Sequence, residues 1–273
     1  MITVHRGDNL EILRRFADGS FDFIYIDPPF NTGKSQSRTR LRTARDDDGS
    51  RTGFGGKRYS TVRIGSASFG DRFDDYLAFL EPRLREGHRL LAPRGGMMVH
   101  LDYREVHYVK VLLDSIFGRE SFINEIVWAY DYGARTTQRW SPKHDTILWY
   151  AMDPDRFTFH ANASDRLPYM APGLVTPAKR RRGKLPTDTW WHTIVSPTGK
   201  EKTGYPTQKP LGILERIVKV HTNPKDQLLD FFAGSGSFGE AADRHGRSCT
   251  LVDSNPAAIR VMRRRFGVRA AFV

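Results

Sequence analysis

The stretch Leu228–Asp253, LLDFFAGSGSFGEAADRHGRSCTLVD, decides how the rest of the chain is read. An apolar run ends at Asp230, Gly234-x-Gly236-x-x-Gly239 follows, a helical pattern comes next, and a second apolar run closes at Asp253. Glycines let the backbone approach a ligand closely, and an acid at the end of the next strand can hold ribose hydroxyls. The unit therefore points to an adenosine-containing cofactor, either a dinucleotide or S-adenosylmethionine. The plainer alternative is a tight strand–helix turn with a capping acid.

Working outward, FDFIYID (Phe21–Asp27) and GGMMVHLD (Gly95–Asp102) have the near-continuous apolar character of strands buried on both faces. NLEILRRFADG sets Leu10, Leu13 and Phe16 on one helical face and closes at Gly19. FDDYLAFLEPRLREGHRLL places Tyr76, Leu77, Leu80, Leu84 and Leu90 near one side, with Pro82 expected to kink or break the helix. Strands alternating with helices make an α/β sheet with helices on both faces. Because the strand ending at Asp253 comes so late, the remaining strands are expected upstream. That circularly permuted order counts against a nicotinamide dehydrogenase, which usually begins with the glycine unit.

Composition narrows the partners. Lys plus Arg number 43 against 31 acids, a formal net charge of +12. Such a surplus favours a polyanion, chiefly nucleic acid. KRRRGK (Lys179, Arg180, Arg181, Arg182, Gly183, Lys184) lies in loop-like sequence and reads as a phosphate-contacting patch, its plain alternative being a solvated face. The tract 34–66, rich in Arg, Gly, Ser and Thr, is expected to be a mobile basic loop. From Trp128 to Gly204 the sequence loses its periodicity and reads as an inserted module with irregular structure of its own. Trp190 and Trp191 are expected in the core. The histidines have no metal-ligand spacing, so no metal is expected. Cys249 sits in an apolar run and is expected to be a core residue. No signal-peptide core or bilayer-length apolar segment is present, and a cytoplasmic protein, brought to the nucleoid by DNA, is expected.

Asp27-Pro28-Pro29-Phe30-Asn31-Thr32-Gly33-Lys34-Ser35 ends like a triphosphate-binding loop, but Pro28 stands where that loop needs its first glycine. A different chemistry fits. Asp27 supplies a carboxylate, the prolines present carbonyls without local N–H competition, and Phe30 offers a flat face. Such a set can grip an exocyclic amino group while stacking its ring, which suits a nucleotide flipped out of a duplex.

Here the chain resembles a known family. DPPF matches the (D/N/S)-P-P-(Y/F/W) signature of amino-methylating DNA methyltransferases, and DFFAGSGS is similar to their DPFxGSGT cofactor motif. GYPTQKP (Gly204–Pro210), GDNLEIL (Gly7–Leu13) and FINEIVW (Phe122–Trp128) resemble segments of the permuted, β-type group, and the motif order is that group's order. Phe231 departs from the usual proline, and Asp253 stands where glutamate is commoner.

The resemblance implies a Rossmann-like, S-adenosylmethionine-dependent methyltransferase sheet. Asp27 and the Pro28 carbonyl would accept hydrogen bonds from the target amino group, with Pro29 shaping the turn and Phe30 stacking on the base. Phe232, Ala233, Gly234, Ser235 and Gly236 would line the cofactor pocket, with Asp230 and Asp27 beside it. Asp253 would bind the ribose, Asp8 the adenine end, and Thr207 and Lys209 the methionine part. Residues 1–127 and 205–273 would form the catalytic domain, with 128–204 as the target-recognition region. An aspartate at the first signature position favours adenine N6, with cytosine N4 as the alternative. Cytosine C5 chemistry would need a nucleophilic cysteine, a role that does not suit Cys249. Double-stranded DNA is the implied partner, with a homodimer and a cognate restriction endonuclease as further candidates and no membrane role. RNA methylation and a catalytically silent DNA-binding protein remain as rivals.

Overall fold

A computed structural model describes residues 1–33, 36–45, 48, 51–52, 58–69, 71, 73–133, 135–196 and 199–273. The elements run β1 (Ile2–Arg6), α1 (Asn9–Leu13), β2 (Phe21–Ile26), β3 (Gln36–Arg45), β4 (Arg51–Thr52), β5 (Arg58–Phe69), α2 (Tyr76–Leu90) and β6 (Leu91–Leu101). There follow α3 (Val106–Phe117), β7 (Phe122–Ala129), β8 (His144–Ala151), α4 (Pro177–Arg182), β9 (Thr189–Trp191) and α5 (Leu211–His221). The chain closes with β10 (Gln227–Asp230), α6 (Ser237–Arg244), β11 (Ser248–Asp253), α7 (Pro256–Phe266) and β12 (Ala270–Phe272).

Nine strands form one sheet in the order β12-β1-β11-β10-β2-β6-β8-β7-β9. From β12 to β6 all neighbours are parallel, while β8 is antiparallel to both β6 and β7. Sequence-early β1 and β2 thus complete a sheet whose other central strands come late, as the permuted order requires. Alternate residues of β2 serve opposite layers. Phe23 and Tyr25 pack with Ile213, Ile217, Phe238 and Met262 of α5, α6 and α7. Ile24 and Ile26 pack with Leu13, Leu80, Leu84, Val109 and Leu113 of α1, α2 and α3. Each such side chain, fully buried, contributes about 1.5–3 kcal/mol, and Cys249 joins the first layer as a core residue.

Four expectations are corrected. Within the tract expected to be a loop, β3 and β5 pair antiparallel along their lengths, with β4 beside β5, so it carries a second, three-stranded sheet. Arg38-Thr39-Arg40-Leu41-Arg42-Thr43 has the two-residue period of a strand, which its charge disguised; positions 34–35, 46–47, 49–50 and 53–57 lie outside the described residues. The module expected over 128–204 instead gives β8 and β9 to the central sheet, leaving the irregular structure between them. Trp190 is buried as expected, but Trp191 is exposed, because successive residues of β9 face opposite ways. Lastly, of the kink or break expected at Pro82, the break does not occur, and α2 runs on through it. Its buried stripe of Tyr76, Leu80, Leu84 and Leu90 outweighs one missing N–H. Among the described residues no helix is long and apolar enough to cross a membrane.

Pro82 leaves the Ala78 carbonyl without its helical donor, so Pro82→Ala is expected to stabilise the fold. An interior proline costs about 3 kcal/mol against alanine, partly offset by about 1 kcal/mol of unfolded-chain entropy. Urea unfolding should therefore show a gain of about 2 kcal/mol, and an unchanged midpoint would contradict this account.

Candidate active site

β2 and β10 lie side by side, Phe23 opposite Leu228 and Ile24 opposite Leu229, so both strands end at the same edge. Asp27-Pro28-Pro29-Phe30 turns away from β2 there, and Phe231–Gly236 turns from β10 into α6. Between the two turns lies a cavity of about 350 Å³. Every residue that the sequence assigned to catalysis or cofactor contact lines it, except Gly236.

Gly236 faces the other way. A Cβ there would come within 2.8 Å of Met262 Cγ and 2.9 Å of Phe266 Cε2, and its φ is +72°. It is glycine so that the loop can lie against α7. Gly234, at φ +50°, does line the cavity, with the Tyr205 ring 3.2 Å from where its Cβ would stand.

The acids take distinct roles. Asp253 accepts the Gly234 N–H through Oδ2 and the Asn255 N–H through Oδ1, each at 2.7 Å, and so ties the glycine loop to the end of β11. Burial pushes its carboxyl up to about 6 despite those two hydrogen bonds. Asp230 accepts the Phe232 N–H at 3.0 Å; its complete burial, with Asp27 and Asp253 nearby, holds it well above the usual carboxylate range. Asp8 caps α1, accepting the Leu10 N–H at 2.9 Å, and meets Arg83 at 3.0 Å. Arg83 also donates to Asn9 Oδ1 at 2.6 Å, Asn9 donates to the Phe231 carbonyl at 2.8 Å, and the guanidinium lies 4.0 Å over Phe79. Arg83, Asn9 and Phe79 line the cavity but were missed, since only the fold brings α2 to the glycine loop.

The turn Asp27–Phe30 is held on both sides. Asn31, at φ +52°, donates its N–H to Asp71 at 2.7 Å and its side-chain amide to Glu105 at 2.7 Å. Asparagine tolerates this left-handed geometry better than most residues. Thr207 adopts φ +57°, unusual for a β-branched residue. Two residues on, Lys209 is buried, and its Nζ bonds both oxygens of Asp27, at 2.7 and 2.6 Å. The same ammonium lies 4.7 Å from the Phe30 ring centre. Lys209 is thus seated on the two groups assigned to the target base, rather than turned only to the cofactor.

Behind Phe30 runs a buried relay that the sequence did not reveal. Tyr25 Oη and His100 Nδ1 are 2.8 Å apart, His100 Nε2 and Asp145 Oδ2 3.1 Å, and Tyr130 donates to Asp145 Oδ1 at 3.0 Å. Burial would raise Asp145, but the His100 hydrogen bond and charge, the Lys209 charge and the Tyr130 hydroxyl together hold it below the usual range. On the far side of Phe30 opens a second cavity of about 980 Å³, lined in part by Trp128, Tyr130, Arg104, Arg135 and Arg139. Phe30, Tyr205, Thr207, Gln208 and Lys209 belong to both walls. The predicted basic patch lies outside this cleft. Lys179–Arg182 form the exposed end of α4, not a loop, and Lys184 is half-buried with its backbone bridged to Leu167.

Known proteins resemble this chain in sequence and in fold. The N6/N4 DNA methylase family matches residues 21–264. The chain is 28% identical to the type II methyltransferase M.HpaI of Haemophilus parainfluenzae over 94% of this chain and 71% of that one. It is 26% identical to the DNA adenine methyltransferase YhdJ of Escherichia coli, covering 99% and 84% of the two chains. Among solved structures it is similar in fold to M1.HpyAVI in its SAM complex, with TM-score 0.63, 21% identity and coverage of 98% and 100%. It is likewise similar to the cytosine-N4-specific PvuII DNA methyltransferase, with TM-score 0.65, 15% identity and coverage of 97% and 86%.

The packing role of Gly236 is testable. Gly236→Ala should destabilise the fold by roughly 2–4 kcal/mol, about 1 from the left-handed backbone and about 1–3 from overpacking against Met262 and Phe266. Chemical denaturation without any ligand measures it; a loss confined to ligand binding would mean that Gly236 lines the pocket after all.

Proposed function

The chain belongs to the N6/N4 family of DNA methylases, and we propose that its site transfers the methyl group of S-adenosylmethionine to the N6 amino group of an adenine flipped out of duplex DNA. The observation that carries this reading is the place of Asp27–Phe30, which lines the cavity with the glycine loop and ends at Phe30 in the wall shared with a larger cavity lined by aromatic and basic side chains. A group that must meet both a cofactor and a base belongs at such a wall.

The residues present fit S-adenosylmethionine. Asp253 can accept ribose hydroxyls, Phe232 and Phe79 give an apolar wall for a ring, Asp8 lies beside them, and the loop Ala233–Ser235 leaves room for a close backbone approach. Thr207 and Lys209, which line the same cavity, would hold the methionine part. When bound, the cofactor supplies an electrophilic methyl group on a sulfonium.

The chain's own groups do the rest. The Asp27 carboxylate accepts from the target amino group, draws its lone pair out of conjugation and stabilises the positive charge that grows on nitrogen. The Pro28 carbonyl is the second acceptor. Phe30 stacks on the base and, with the walls, fixes the line of attack. Lys209 satisfies Asp27, so the incoming amino group takes over a contact already built for a cation. The relay Tyr25–His100–Asp145–Tyr130 keeps the floor behind Phe30 rigid.

Aspartate at the head of the signature and similarity to the E. coli adenine enzyme support adenine over cytosine. The region from 130 to 143 with the exposed arginines of α4 is the proposed DNA-facing part of 128–204. The type II names of several relatives support a restriction-modification setting with a cognate endonuclease, and the β-type resemblance supports a homodimer. Work on chromosomal DNA would place the protein in the cytoplasm, at the nucleoid.

Methyl transfer to unmethylated duplex DNA, followed by digestion and mass spectrometry of the nucleosides, tests the assignment. N6-methyladenine is expected, with Asp27→Ala at least about 100-fold slower while cofactor binding persists. N4-methylcytosine would overturn the base assignment.

Cofactor affinity should also follow the charge of Asp253. Burial pushes its carboxyl up to about 6, and only the ionised form can accept the ribose hydroxyls as well as its two N–H donors. S-adenosylhomocysteine binding, measured by calorimetry, should weaken as pH falls through about 6, and Asp253→Asn should flatten that dependence. A wild-type affinity level across that range would remove Asp253 from the ribose site.

A further inference from the structure

A third cavity, of about 450 Å³, lies at the β7–β8–β9 end of the sheet against α5 and shares no lining residue with the cofactor cavity. Its walls include Ile126, Trp149, Phe159 and Trp190. Two polar side chains reach it with hydrogen-bonding capacity unused. Arg216 is 7% exposed, its guanidinium lies 4.8 Å over the Trp190 ring, and its Nε has no hydrogen-bond partner among the described residues. The acid that acts on it electrostatically, Asp165, is itself bound to Lys219 Nζ at 3.0 Å. His221 is 5% exposed, packed edge-on to Trp149 at 4.3 Å and stacked on Phe23, and its Nδ1 is likewise unpartnered.

Asp188 also lines the cavity, yet a buried guanidinium with an unsatisfied Nε is costly to keep, and replacing a buried charge by an apolar residue is often neutral or stabilising. A buried arginine aimed into an aromatic cavity makes sense where an anion completes it, because guanidinium suits carboxylate and phosphate alike. Trp149, Phe159 and Trp190 favour a flat ring, and the volume is that of a small-molecule pocket. We propose that this cavity is a second ligand site, taking a planar aromatic molecule that carries one acidic group, the ring against Trp149 and Phe159 and the acid on Arg216. His221 supplies one more hydrogen bond; burial pushes its imidazole down to about 3, so it is neutral at physiological pH.

The test uses the whole protein saturated with S-adenosylhomocysteine, so that the cofactor cavity is filled. Calorimetric titration with adenosine 5′-monophosphate and with indole-3-acetate, against adenosine and indole-3-ethanol, separates phosphate from carboxylate and charge from ring. At least one anion should bind with 1:1 stoichiometry and about tenfold or more tighter than its neutral partner. Arg216→Met should lose that binding by about tenfold or more, with S-adenosylhomocysteine affinity unchanged and the melting temperature equal or higher. Should Arg216→Met not fold, Ser164→Trp, which narrows the cavity and keeps Arg216, should show the same loss. Absence of binding by both anions, equal binding to Arg216→Met, or binding seen only without S-adenosylhomocysteine would overturn the proposal.

Discussion

Parallel pairing of β2 with β10 is the constraint on which the rest of the molecule depends. It is a short contact in space between segments far apart in sequence, and it sets the turn Asp27–Phe30 beside the glycine loop. Parallel strands buried on both faces need layers on each side, which α1, α2 and α3 supply on one face and α5, α6 and α7 on the other. With the layers in place, the free carboxyl edge is where a ligand can enter. The site is therefore a property of the sheet, and the loops refine what the strand ends establish.

That edge gathers Asp27, Asp230 and Asp253 within reach of one another, and like charges in poor solvent are costly. The fold divides them by environment. Asp230 is submerged and driven toward its neutral form, Asp253 spends its oxygens on backbone donors, and Asp27 is matched by Lys209. The Asp27 carboxylate, paired with Lys209, then lines the cavity beside Phe30, which stands in the wall between the two cavities. The Lys209 ammonium over Phe30 also shows that the ring face tolerates a cation, which suits a methylated amine at the moment its charge peaks.

Much of this was legible from the residues. Near-continuous apolar runs announced buried parallel strands, and a glycine loop between two of them announced a cofactor edge. What stayed hidden depended on the third dimension. Arg83 and Asn9 reach the pocket only because α1 and α2 pack together over the glycine loop. Gly234 and Gly236 look alike in sequence, yet one faces a ligand cavity and the other a helix. The arginines between Arg38 and Arg45 mask a strand period, since a charged tract has the composition of a disordered one. Pro82 carries a local cost that the sequence shows, while the apolar stripe that outweighs it is buried only in the fold.

The permuted strand order has a consequence for synthesis. When β2 leaves the ribosome, its partner β10 has yet to be made, and β6 is the neighbour available first. Until then Phe23, Ile24, Tyr25 and Ile26 lie beside an open apolar edge, the kind of surface that invites pairing with another chain. The sequence separation also makes closure of the sheet slow. The turn Asp27–Phe30 is thus translated well before the strand that completes its surroundings, and nascent chains stalled before β10 leave that apolar edge open to aggregation and to chaperones.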